Sequence, residues 1–232
     1  MIERMPIWDG TISSDEFYVA ACSFVELWKE HNDALPQWSW VNCSQKCWIS
    51  PSKVDGYLSL ENVILPKSAQ EHNDHEASCE DECSFSNEDE IIDDAILVQD
   101  DDHERRYYDF HVVYNQSYKV PVLHLRAHYI GGQQLSVNVI EKDISINSGD
   151  VLGVTKSMFL TQEEHPYLNR PWCMLHPCGT SECMKLLFSN KDLANKIDVP
   201  IEKYLVAWFS VVGQLFGFKL PFGMLHNVNY RA

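Results

Sequence analysis

No Lys or Arg occurs between residues 71 and 104, a stretch that holds fifteen of the chain's 34 acidic residues. The remaining residues carry 19 acidic and 18 basic side chains, so one segment supplies almost all of the net charge of −16. Nowhere do Lys and Arg gather into a patch, which excludes the electrostatic footprint of a nucleic-acid binder. The opening residues, Met1 to Gly10, have no positive region followed by an apolar run, so no secretory leader is expected. The longest apolar run, Tyr204 to Phe218, is interrupted by Ser210, Gly213 and Gln214 and is bounded by Lys203 and Lys219. It falls short of the roughly 20 residues that a membrane-spanning helix needs. None of the eight cysteines forms a Cys-x2-Cys pair. Without a leader they are expected reduced, in a cytoplasmic protein.

What is present suits one domain over residues 1–232, with 45% apolar and 12% aromatic residues. Ser13 and Glu16 have capping-box spacing ahead of an apolar face made by Phe17, Ala20, Ala21, Phe24, Leu27 and Trp28, which predicts a helix to about His31. Trp38–Val41 and Gly56–Leu65 read as strands. Residues 67–104 cannot bring such dense like charge into a core and read as a disordered acidic insertion. It is a spacer on one reading and a docking segment for a basic partner on another. Arg106–Tyr114, a turn at Asn115-Gln-Ser117, and Tyr118–Tyr129 read as a hairpin, with Pro121 better suited to an edge or a bulge. Glu141–Ile146 reads as a short helix or turn, and Val151–Phe159 as a strand or short helix. A last helix, capped by Asp198 and lined by Tyr204, Leu205, Trp208, Val211, Val212, Leu215 and Phe216, is apolar nearly all round and therefore buried. A helix, four antiparallel strands, an irregular loop and C-terminal helices make an α+β fold.

The chemistry concentrates between Arg170 and Lys185. An extended segment leads to a bend at His176-Pro177-Cys178, and Met184, Leu187 and Phe188 then recur at helical spacing. Pro177 biases His176 away from helical angles, Gly179 permits close approach, and Thr180 is a candidate cap. A cysteine just before a helix N-terminus feels unpaired N–H groups and the positive end of the helix dipole, which favours a nucleophilic thiolate. A protonated His176 would help and Glu182 would oppose. A buried structural cysteine in a turn is the competing reading.

The segment Gln162–Met184, with its His176-Pro177-Cys178-Gly179-Thr180 core, resembles the active-site segment of the autophagy-related protein ten family. Asp109–Leu125 is similar to that family's central hairpin. The resemblance implies a ubiquitin-conjugating-like fold and a ubiquitin-like protein conjugating enzyme. Cys178 would accept the C-terminal glycine of autophagy-related protein twelve from its activating enzyme, autophagy-related protein seven. It would pass that glycine to a lysine of autophagy-related protein five, with no metal or organic cofactor. A lipid-conjugating sister, the autophagy-related protein three family, shares the His-Pro-Cys triplet and stays open as an alternative, as does a non-catalytic binder on the same fold.

Ubiquitin-conjugating enzymes place a His-Pro-Asn triplet upstream of the cysteine, its Asn supporting the oxyanion. This chain has His165-Pro166-Tyr167 instead. Asn169, Asn115, Thr180 and the backbone N–H groups of 179–181 are the candidates to replace it. Cys173, Cys183 and Cys22 read as packing residues. Cys43 with Cys47, and the run His72, His75, Cys79 and Cys83, admit a zinc reading against a solvated one. A cysteine protease would use the same thiol chemistry, but no family signature for one surrounds Cys178.

Overall fold

Ser13 opens the first helix through both halves of a capping box. Its hydroxyl accepts from the Glu16 N–H at 3.2 Å, and its own N–H donates to Glu16 Oε2 at 2.7 Å. This helix, α1 (Ser14–His31), buries Phe17, Ala20, Ala21, Phe24 and Trp28 as the spacing predicts. The structure, a computed structural model, describes residues 8–43, 55–65, 105–148, 160–189 and 200–226. The acidic stretch 67–104, the segment 151–159, Asp198, Cys47 and the His72–Cys83 run lie outside the described residues.

Four strands follow in the expected places: β1 (Ser39–Asn42), β2 (Gly56–Ile64), β3 (Arg106–Asn115) and β4 (Val120–Tyr129). The helix α2 (Val137–Ser148) is longer than the short helix or turn expected around 141–146. Two further strands, β5 (Leu160–Glu164) and β6 (Pro171–Leu175), extend the expected four to six among the described residues. Then come α3 (Thr180–Leu187), a 3₁₀ turn at Ile201–Lys203, α4 (Tyr204–Val212), a 3₁₀ turn at Gly213–Phe216 and α5 (Phe222–His226). The sheet order is β1-β2-β3-β4-β6-β5, antiparallel throughout. β5 sits at the edge with a polar sequence, Thr161-Gln-Glu-Glu164, of the kind that protects an open edge from further pairing.

One face of the sheet carries the main core. Leu58, Leu60, Phe110, Val112, Leu123, Leu125, Cys173 and Leu175 pack against Phe17, Phe24, Trp28, Tyr204 and Phe209 from α1 and α4. The single last helix expected to Phe216 is instead α4 between two 3₁₀ turns, with α5 after it, and α4 is largely buried as its apolar sequence requires. Arg106 and Tyr108 both bond Asp143, which ties α2 to β3. The opposite face holds a smaller cluster of Cys43, Tyr57 and Val113, covered by Tyr167 and Leu168. Pro121 lies in an interior strand, opposite Tyr114 of β3. The β4–β6 pairing nevertheless covers only His124–Met174 and Leu125–Cys173. Pro121 stands beyond its end, where a missing N–H leaves no gap in that ladder.

Asp109 is buried at 2% exposure and is satisfied from two sides. It accepts from the Asn62 N–H and from Arg126 Nε–H, each at 2.9 Å, and the Arg126 guanidinium lies 5.1 Å from the centre of the Trp172 ring. Removing the arginine leaves a buried carboxylate short of its counter-charge. Arg126→Ala is expected to cost about 2 kcal/mol, because Arg126 itself is partly exposed. Urea unfolding measures this. A cost at the few-tenths level of an ordinary surface ion pair would mean the Asn62 amide alone suffices.

Candidate active site

β6 leaves the sheet as it approaches Cys178. Its pairing with β4 stops at Met174, and His176, Pro177 and Cys178 then turn the chain into α3. Pro177 is buried, His176 is half-buried and Cys178 is exposed. The bend is held by two local bonds. The Cys178 N–H donates to His176 Nδ1 at 3.3 Å, and the Thr180 N–H donates to the Pro177 carbonyl at 3.0 Å. His176 therefore shapes the bend through Nδ1, and its ring meets Tyr118 of the hairpin turn edge-on at 5.7 Å. Thr180 does not cap the helix. Gly179, at φ −102° and ψ 0°, occupies the cap position and brings no side chain to it. No side chain of the cap quenches the amides of the first turn, which stand next to Cys178.

The described cysteines separate cleanly. Cys43 and Cys173 are buried, Cys22 and Cys183 are half-buried, and among them Cys178 alone is exposed. Burial pushes the thiols of Cys173 and Cys183 up, against ionisation. Of the described residues, no group of three His, Cys, Asp or Glu side chains has a geometry that would hold a metal ion.

The oxyanion candidates fall in different places. Asn115 sits in the hairpin turn that His176 touches through Tyr118. Its Oδ1 accepts from the Ser117 and Tyr118 N–H groups, both at 3.0 Å, which fixes the side chain and leaves its NH₂ as a donor. Asn169 lies in the turn before β6, in the left-handed region at φ 51°. Five extended residues at roughly 3.3 Å each separate that turn from the bend, so Asn169 is not brought to Cys178.

His165 is fully buried on the far face of the sheet. There it meets two histidines for which the sequence reading had no role, His111 and His124, paired across β3 and β4. The Tyr167 N–H donates to His165 Nδ1 at 3.2 Å, so His165 carries its proton on Nε2 and donates it to His111 Nδ1 at 3.0 Å. His111 then carries its own proton on Nε2. Burial first, and then the neighbouring imidazoles, push His111 and His124 down to about 3, and burial takes His165 down to about 4. The His165-Pro166 pair thus anchors the loop that feeds β6, on the face of the sheet away from the main core. The observed register, with Asn115 opposite Val120, is what pairs His111 with His124; a turn read as Asn115–Ser117 would have set His111 opposite Pro121. The return of His165 over them has no comparable signal.

A segment before α1 completes the surroundings of Cys178. The Ile12 N–H donates to the Lys119 carbonyl at 3.0 Å and Tyr114 Oη to the Ile12 carbonyl at 2.8 Å, which pins the segment to the hairpin. Tyr204 Oη donates to the Gly10 carbonyl at 2.8 Å, and Gly10, at φ +90°, packs its Cα on Ser181 of α3. Residues 8–12 therefore strap the hairpin turn to α3, the helix that follows Cys178.

Residues 16–222 match the family described as autophagocytosis associated protein, active-site domain. An Arabidopsis thaliana protein named ubiquitin-like-conjugating enzyme ATG10 is 44% identical over 218 residues, which covers 94% of this chain and 96% of that protein. The chain belongs to the ATG10 family. The Homo sapiens protein of the same name is 36% identical over 114 residues, 49% of this chain and 50% of its own length. A crystal structure described as the autophagic E2 Atg10 superposes with a TM-score of 0.48 at 16% identity, covering 90% of this chain and 99% of that one. Relatives named autophagy-related protein 3, from Schizosaccharomyces pombe and Pichia angusta, match at 31% and 27% identity, below the 44% of the Arabidopsis ATG10. An ATG10-family chain is a ubiquitin-like-conjugating enzyme, a thioester-forming transferase of autophagy. No helix among the described residues is long and apolar enough to cross a membrane.

Proposed function

We propose that Cys178 of this ATG10-family enzyme carries the transferred protein as a glycyl thioester. Its thiolate attacks the thioester between the ubiquitin-like protein's C-terminal glycine and a cysteine of the activating enzyme. The tetrahedral adduct expels that enzyme's thiolate, so one thioester replaces another and the step is close to balanced. A neutral lysine amine of the acceptor then attacks the new carbonyl, loses a proton, and expels the Cys178 thiolate, leaving an isopeptide bond. Amide formation draws this second step forward. On this reading autophagy-related protein twelve is the carried protein, seven its activating enzyme and five the acceptor, and they meet in the cytoplasm. For the developing oxyanion, the first-turn amides beside Gly179 and the Asn115 NH₂ are the donors best placed.

The exposure of Cys178, at the open end of a helix and alone among the described cysteines, supports this reading most directly. Incubation with activating enzyme, ubiquitin-like protein and ATP is expected to give a reductant-sensitive adduct. Cys178→Ala abolishes it, and Cys178→Ser traps a reductant-resistant ester. An adduct that survives Cys178→Ala would move the nucleophile elsewhere. Phosphatidylethanolamine serving as the acceptor would return the chain to the lipid-conjugating chemistry.

A further inference from the structure

His176 stands two residues before the sulfur, and its Nδ1 accepts the Cys178 N–H at 3.3 Å. That bond fixes the state of the ring. An imidazolium carries a proton on both nitrogens and accepts nothing, so the ring in this bend is neutral, with its proton on Nε2. Neither nitrogen is then open to a proton from the thiol. Nδ1 is taken by the amide, and Nε2 already holds a hydrogen. A protonated His176 would favour the thiolate by charge alone, but it would give up this bond. The ring is braced from outside the bend. Tyr118 meets it edge-on, with centroids 5.7 Å apart and planes at 80°, and is itself 45% exposed. The Tyr118 N–H donates to Asn115 Oδ1 at 3.0 Å, and the Lys119 carbonyl is pinned by the Ile12 N–H at 3.0 Å, so the brace has its own supports. Within the bend the amides of Cys178 and Thr180 are both committed, the first to His176 and the second to the Pro177 carbonyl. The Gly179 N–H between them has no acceptor among the described residues.

Resting on the reading of Cys178 as the acyl carrier, we propose that His176 is a positioning residue that acts only as the neutral Nε2–H tautomer, with Tyr118 as its brace. It works through the backbone. By holding the Cys178 amide it fixes the start of the bend that presents the sulfur between β6 and α3. It also withdraws that amide from the oxyanion and leaves the Gly179 N–H as the open donor of the bend. The ring is therefore not the base that ionises the thiol. Without the bond the amide is free to turn, and the sulfur loses its fixed approach to the thioester carbonyl. A misplacement of about 1 Å costs roughly 10²-fold in rate. Tyr118 limits rotation of the ring about its Cβ–Cγ bond, so that Nδ1 and not Nε2 faces the Cys178 amide. One ring pair thus joins the hairpin turn to the nucleophile.

The test uses the full chain and sets two amides of different reach against each other. His176→Asn places its Oδ1 where Nδ1 stands and keeps an acceptor on a side chain that does not ionise. His176→Gln carries its amide to the Nε2 end, and His176→Ala removes both. In single-turnover loading from preformed activating-enzyme thioester, His176→Ala and His176→Gln are expected to be about tenfold slower than wild type, and His176→Asn about fivefold faster than His176→Ala. Tyr118→Ala is expected to slow loading about threefold, and to slow His176→Ala no further, because the two residues act through one contact. Two signatures are read without any partner protein. Side-chain nitrogen NMR at pH 7.5 is expected to show His176 protonated at Nε2 alone. Exchange of the Cys178 amide is expected to be about tenfold slower in wild type and His176→Asn than in His176→Gln. Melting curves check that the variants fold, and if His176→Ala does not, the Asn and Gln comparison and the wild-type spectrum decide. His176→Asn no faster than His176→Ala overturns the proposal. So does His176→Gln as fast as wild type, and so does a ring protonated at Nδ1 at that pH. A wild-type chain that takes no adduct fails the reading of Cys178 instead, while the tautomer and the amide exchange still decide the bond to His176.

Discussion

Below pH 6.5 this protein is expected to lose stability steeply, by roughly 2 kcal/mol per buried histidine at pH 5 and about 6 kcal/mol for the three together. The sign follows from the far face of the sheet. The unfolded chain protonates each imidazole near 6.5, whereas the folded chain holds His111 and His124 neutral to about 3 and His165 to about 4. Acid therefore favours the unfolded state. The contribution is fully present above pH 6.5 and is lost as the pH falls towards 4. Charged neighbours do not rescue it. Arg126 on the same face disfavours a second positive charge, and the Glu61 carboxylate, 3.6 Å from His111 Nε2, is largely exposed and screened. A domain with a typical margin of 5–15 kcal/mol should approach its unfolding midpoint near pH 5. Urea midpoints across pH 4.5–7.5 measure the slope. His124→Leu separates the members, because His124 Nδ1 is buried with no partner among the described residues. That substitution removes an unsatisfied polar atom, so it should be neutral or stabilising at pH 7 and should remove about one proton from the acid slope. A slope of one proton or less in the wild-type chain would mean the histidines are reached by water and not held neutral.

Gly10→Ala is expected to lower stability by roughly 3 kcal/mol and to slow thioester formation along with it. A Cβ at this position would stand 1.8 Å from the Ser181 carbonyl oxygen, a backbone atom that cannot swing aside, and the residue sits at φ +90°, where side chains are strained. Relief requires the strap to lift from α3, which loosens the Tyr204 bond to the Gly10 carbonyl and the packing of Trp8 on Phe188 and Tyr204. For a domain of this size the melting temperature should fall by roughly 6–12 °C. Hydrogen exchange should rise in α3 and leave α1 unchanged. Unaltered melting with unaltered protection of α3 would show that the strap does not support the helix.

Much of this architecture was legible because local chemistry and tertiary need agree. The Ser13–Glu16 box, the α1 stripe and the Asn115 turn each specify their element without help from distant residues. β5 carries no strand signal, because Thr161-Gln-Glu-Glu164 lacks the β-branched, alternating character of a buried strand, and an edge does not demand it. The cap lies one residue before the Thr180 that composition favours, because Gly179 in helical-type backbone takes that position. At the site, Cys178 could be read from its bend and its helix. The strap and the histidine trio could not, since each joins segments far apart in the sequence. Asp9-Gly10 gives no sign that it will meet Ser181.

The bond between Tyr204 and Gly10 joins positions 194 residues apart. A ribosome adding roughly 5–20 residues per second therefore exposes the earliest part of the chain for many seconds before its partner has been made. During that interval the hairpin turn has its tether and α3 does not, and the sulfur emerges ahead of the helix that completes its seat. A growing polypeptide of this kind holds an unframed thiol until Tyr204 has been made.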